Sequence, residues 1–153
     1  MRPEEIKPDT MLCTILGYNA QTGNTRRYFN KWLKQNDINA TAIALNITDA
    51  HFDFTMKSVG QSKVDKMILE QEFKESVLEY CQQIPDNCTS VDFVEIIDGE
   101  VIGYNLDEEV ESLFENPAFV DDRMRFVAKM MIIAQRWYGV EVSIDDIPLI
   151  IEK

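Results

Sequence analysis

One histidine, His51, stands in 153 residues. That shortage excludes metal sites built on two histidines and leaves any histidine-based triad dependent on a single side chain. Cysteine is scarce as well. Cys13, Cys81 and Cys88 are odd in number and lack zinc-ligand spacing. Cys13 lies in an apolar run and reads as a small core residue. Positive charge is in deficit: 15 Lys and Arg stand against 27 Asp and Glu, a net charge of −12. A surface of that sign repels phosphate, so no nucleic-acid partner is expected. No apolar run reaches the roughly 18 residues of a membrane span, so no membrane partner is expected either. The opening Met1-Arg2-Pro3-Glu4-Glu5 lacks the apolar stretch of a signal peptide, and a cytoplasmic location is the expectation. The glycines Gly17, Gly23, Gly60, Gly99, Gly103 and Gly139 form no G-x-G-x-x-G, the fingerprint of dinucleotide binding.

What is present is a hydrophobic content of 45% in alternating strand and helix patterns. Residues 1–9 read as a loose, proline-containing arm. Residues 11–17 read as a buried strand, and 18–24 as a polar loop. Thr25 is placed to cap a helix over 26–36. A second strand follows over 40–47. Thr48 or Asp49 caps a helix through Val59, which Gly60 ends. Residues 66–70 form a third strand, and 73–83 a helix stopped by Pro85. Residues 91–97 and 100–104 pair as a hairpin across Asp98-Gly99, a strong two-residue turn signal. Helices then cover 107–114, 121–138 and 144–152. This order predicts one domain over 1–153. Its class is α/β: a three-layer αβα fold on a mixed, mostly parallel sheet, with a C-terminal hairpin and helices.

The stretch Asp98-Gly99-Glu100-Val101-Ile102-Gly103-Tyr104-Asn105-Leu106-Asp107 resembles a segment of the shikimate dehydrogenase family, written D-G-x-x-x-G-x-N-T-D, which closes its substrate-binding domain. Gly17 and the loop after it resemble the family's opening G-x-P-x-x-H-S-x-S-P. Residues 129–140, with Arg136-Trp137-Tyr138-Gly139-Val140, resemble its C-terminal helix Q-A-A-x-A-F-x-x-W-x-G-V. The resemblance covers most of the chain and implies a substrate-binding domain lacking the NADP-binding Rossmann domain. The bridging stretch 116–125 is too short for one βαβ unit, which takes about 30 residues.

The resemblance also implies site residues. A catalytic Lys–Asp pair carries over onto Lys74 and Asp107. The stretch 67–75 corresponds to N-V-T-x-P-x-K-E but has lost its Asn, Thr and Pro. Asp107 also reads as an acidic helix start, and Lys74 as a charge on a solvated helix face. For substrate binding, the two hydroxyls of S-x-S fall on Gly23 and Thr25, so one is lost. The Asn of A-V-N-T falls on Asp92, Asn105 is retained, and the Gln of the late helix falls on Lys129. Thr25 as an ordinary cap and Lys129 as an ordinary helix charge are the plainer readings. Arg26, Arg27, Lys31 and Lys34, with Arg123, Arg125 and Arg136, read as an anion-receiving pocket or as solvated helix faces.

Hydride transfer in this family requires a nicotinamide cofactor. The expectation is therefore a stand-alone domain that binds a small anionic hydroxy-acid such as shikimate, binds no cofactor itself, and is no dehydrogenase alone. Two other readings stand beside it. One is a protein-interaction module with a degenerate site, working as a homodimer or on a partner chain. The other is the substrate half of a split NADP-dependent shikimate or quinate dehydrogenase, with NADP supplied by a partner domain.

Overall fold

The computed structural model describes residues 7–152. Most of the expected arm, residues 1–6, lies outside the described residues.

Strands β1 (Met11–Gly17), β2 (Ala40–Asn46), β3 (Lys66–Leu69), β4 (Phe93–Ile97) and β5 (Glu100–Tyr104) form one sheet in the order β2-β1-β3-β4-β5. β1 and β3 run parallel, with Ile15 opposite Ile68. β2 runs the same way, since Met11 N donates to Asn39 O and Ile47 N donates to Gly17 O, start to start and end to end. β4 is antiparallel to both β3 and β5. β4 alone therefore opposes the other strands, which makes the sheet mixed and mostly parallel, as expected. The β4–β5 turn places Asp98 and Gly99 at φ 53° and 79°, the left-handed pair a two-residue hairpin turn demands. The outer edge of β5 is covered by Gln82 and Gln83, through bonds of 2.8 Å to Val101 O and from Gly103 N. Covering an edge blocks its pairing with other chains.

The helices are α1 (Asn24–Gln35), α2 (Asp49–Ser58), α3 (Asp107–Ser112), α4 (Asp122–Tyr138) and α5 (Ile147–Ile151). The chain forms two compact units. One comprises residues 12–26 and 42–105. Its core joins Leu16, Met67, Leu69, Val94 and Val101 of the sheet to Phe52 and Met56 of α2. Phe73 fills the centre: it is fully buried, stacks on Phe52 at 4.3 Å and takes Tyr18 edge-on at 5.2 Å. Each such ring pair adds about 0.5–1.5 kcal/mol beyond its area burial. The other unit comprises residues 7–11, 27–41 and 106–152. There the Asp121 side chain caps α4 by accepting from Met124 N at 2.8 Å, and Gly139 ends it at φ 74°. Phe29, fully buried, contacts the rings of Trp137 and Tyr138.

Three expectations need correction. Residues 73–83 form no α-helix, only two 3-10 turns, Gln71–Phe73 and Ser76–Tyr80. An α-helix would bond Leu78 N to Lys74 O. That carbonyl instead accepts from Val91 N at 2.8 Å, and Leu78 N turns to Glu75 O. α1 begins at Asn24, so Thr25 lies inside it and does not cap it. Gly60 is no left-handed terminator: it sits in a 3-10 turn where a Cβ would lie 2.8 Å from Gly99 O. Close backbone approach is its requirement.

Candidate functional site

The chain around β3 builds one cluster of polar side chains. Leu69 N donates to Asp92 O, Asp92 N to Tyr104 O, and Val91 N to Lys74 O. These bonds lock residues 69, 74, 92 and 104 into one frame, and Phe73 anchors the chain beside Lys74. Within it, Lys74 Nζ donates to Asp92 Oδ1 at 3.0 Å. The Asp92 side chain is 2% exposed and that of Lys74 15%. A charge this buried must be paired, and removing one partner of such a pair costs about 3–5 kcal/mol. An ammonium carries three protons, so Lys74 can serve a ligand while holding Asp92. At the end of β5, Asn105 Nδ2 donates to Ser90 O at 2.9 Å and fixes the approach to β4.

Thr25, turned inward from α1, is 3% exposed, and its hydroxyl is hydrogen-bonded to the Glu70 carboxylate. Burial pushes Glu70 above the ordinary carboxyl range; Glu72 adds to this, while Thr25 and Lys74 oppose it. Its Oε1 is sealed from solvent and has no hydrogen-bond donor among the described residues. A Cβ at Gly23 would stand 3.8 Å from that oxygen, so side-chain space exists there. Glu70 was not foreseen as a site residue. The hint available was its position one residue past a buried strand.

Beside this cluster lies an open cleft of about 580 Å³ lined by Tyr18, Phe52, Tyr80 and five carboxylates, Asp49, Asp53, Glu72, Glu75 and Glu79. Tyr18 donates to Asp49 and Tyr80 to Asp53. The Tyr80 bond holds Asp53 below its ordinary range, with Lys57 assisting, and raises Tyr80.

The remaining expected residues lie in the other unit. Lys129 Nζ donates to Asp107 Oδ1 at 3.1 Å. Asp107 is the first residue of α3, within its acidic first turn. Thus Lys74 and Asp107, expected as a catalytic pair, each face a further partner, Asp92 and Lys129. Several of the basic helix residues are engaged within the chain. Arg26 binds Gln21 O, Arg27 lies over the Tyr28 ring, Lys31 binds Ile150 O and Glu152 O, and Arg125 binds Glu111 and Pro117 O.

Among the described residues, no group of three or more His, Cys, Asp or Glu is arranged to hold a metal ion. Among the described residues, the left-handed glycines Gly99 and Gly139 lie in a hairpin turn and at a helix C-terminus. No helix among the described residues is long and apolar enough to cross a membrane.

In fold the chain is similar to domains of shikimate dehydrogenases. The shikimate dehydrogenase of Aquifex aeolicus superposes with a TM-score of 0.62 at 17% identity, over 84% of this chain and 54% of that one. The Listeria monocytogenes shikimate 5-dehydrogenase, in complex with shikimate and NAD, gives 0.63 at 13% identity, over 76% and 41%. The 5-ketofructose reductase of a Gluconobacter species gives 0.60 at 15%, over 81% and 51%. The chain thus spans about half or less of the length of these neighbours, and identities this low establish the fold alone. No protein-family model matches the chain, and no curated protein sequence matches it.

Proposed function

We propose that this domain binds a small polyhydroxylated molecule and does not by itself carry out oxidoreduction. The observation that carries the reading is the buried Lys74–Asp92 pair at 3.0 Å. A buried ion pair is a poor source of stability, since well-packed apolar residues often serve as well. Lys74, 15% exposed and held by Asp92, offers a strong donor to a hydroxyl of a compact ligand. Fold neighbours act on molecules of that kind, shikimate and 5-ketofructose by their names. In this reading the hydride step, which needs a nicotinamide, belongs to a partner domain or chain. The anionic hydroxy-acid expected from the resemblance is one member of the ligand class.

A thermal-shift series with shikimate, quinate, 3-dehydroshikimate and 5-ketofructose tests the reading. A ligand that binds only the folded state raises Tm in a saturable way. The double variant Lys74→Gln/Asp92→Asn keeps a hydrogen bond and removes both charges. It is expected to fold and to lose the shift. No shift from any of the four at millimolar concentration overturns the proposal.

A second reading, an interaction module, is favoured by apolar side chains near the β2 edge. Leu12, Ile43 and Leu45 are 51%, 36% and 42% exposed. Sedimentation of the purified chain decides it: a monomer at all concentrations argues against self-association.

A further inference from the structure

Gly17, Gly23 and Thr25 form a socket that already contains a carboxylate. A Cβ at Gly17 would lie 2.5 Å from Glu70 Cγ and 2.9 Å from its Cβ, so the bare glycine is what lets the Glu70 side chain cross the end of β1. Thr25 then grips the carboxylate through its hydroxyl. Among the described residues Oε1 is shut away from water with no donor. Such a position is costly for an ionised oxygen.

We propose that Glu70 is the resident carboxylate of this socket and that it makes the site favour small hydroxylated ligands that carry no carboxylate of their own. The inference rests on the binding-domain reading and narrows its ligand. A second carboxylate brought to the socket meets two like charges, Glu70, whose Oε1 is sealed from water, and Glu72 beside it. The Glu72 carboxylate is held in position by Tyr18 N at 2.7 Å. Lys74, the nearby cation, is engaged by Asp92 at 3.0 Å. Among the described residues no lysine or arginine lines the adjoining cleft, while five carboxylates do, so its field repels anions as well. A neutral hydroxyl escapes this repulsion: it can donate to a carboxylate and accept from the lysine.

The test is calorimetric binding of a matched pair, shikimate and its methyl ester, to the wild-type protein and to Glu70→Gln at neutral pH. Glu70→Gln keeps an acceptor for Thr25 and removes the charge. Glu70→Ala, which empties the socket, is the second variant. The wild-type protein is expected to bind the ester about tenfold more tightly than the acid. Both variants are expected to erase or reverse that preference. Equal binding of acid and ester by the wild-type protein, or an unchanged ratio in both variants, overturns the proposal and leaves the binding-domain reading standing. If neither ligand binds any of the three proteins at millimolar concentration, the binding-domain reading falls and this one falls with it.

Discussion

Two lysine–aspartate pairs of nearly equal length occupy different surroundings. Lys74 and Asp92 meet at 3.0 Å with side chains 15% and 2% exposed. Lys129 and Asp107 meet at 3.1 Å, but the Asp107 side chain is 68% exposed. The bond is the same and the energetics are not. The two lysines are equally covered, 15% exposed each, but water reaches Asp107 and screens the second pair, so it contributes about 0–1 kcal/mol. The first is largely withdrawn from water, so removing either member is costly. Length alone therefore does not rank an ion pair. A ligand that reached the buried pair would meet undamped charge, and that makes it the better foundation for a binding site.

Substitutions can break or sharpen this contrast. The largest effect is expected from Lys74→Ala, which leaves the buried Asp92 without its lysine charge. Urea unfolding should record a loss of about 3–5 kcal/mol. A loss as small as that of an exposed pair would remove the distinction. Next comes Gly17→Ala, whose new methyl collides with Glu70; overpacking of this kind costs about 1–3 kcal/mol. Adding Glu70→Ala should recover most of that loss, a coupling a double-mutant cycle measures directly.

Glu70 also sets a pH dependence. Burial raises its folded carboxyl above the ordinary 4.5, so the folded state holds the proton more firmly than the unfolded state does. Its contribution is complete below about pH 4.5 and is lost as pH rises through the folded value. Wild-type stability should therefore fall across that window more steeply than that of Glu70→Gln, as followed by Tm against pH. Parallel curves would mean that the carboxylate is not buried in solution. The smallest effect belongs to Lys129→Ala, expected to cost about 0–1 kcal/mol and to shrink with added salt.

Much of the fold is legible in the sequence where the signal is local. Asp98-Gly99 can only turn a hairpin tightly, and Asp121 with Gly139 brackets α4 within its own residues. The stretch after β3 was misread because its fate is decided from a distance. Its helical periodicity is real, but Val91 takes the carbonyl an α-helix needs. The site follows the same rule. Thr25, Lys74, Asp92 and Asn105 were marked by their resemblance to a known pattern, and they occupy one unit with β3 at its centre. Their partners were not marked. Lys74 finds Asp92 across 18 residues. Glu70 reaches Thr25 only because β1 and β3 are neighbours and Gly17 has no side chain, facts no single segment contains.

The account's central claim is that the frame around Lys74 and Asp92 binds a small hydroxylated molecule. The most direct measurement is a nitrogen–proton NMR titration of the whole chain with methyl shikimate. The prediction is a saturable set of shifts centred on the amides of Thr25, Lys74, Asp92 and Asn105. No shifts at millimolar ligand, or shifts centred on other amides and absent from these four, would contradict it.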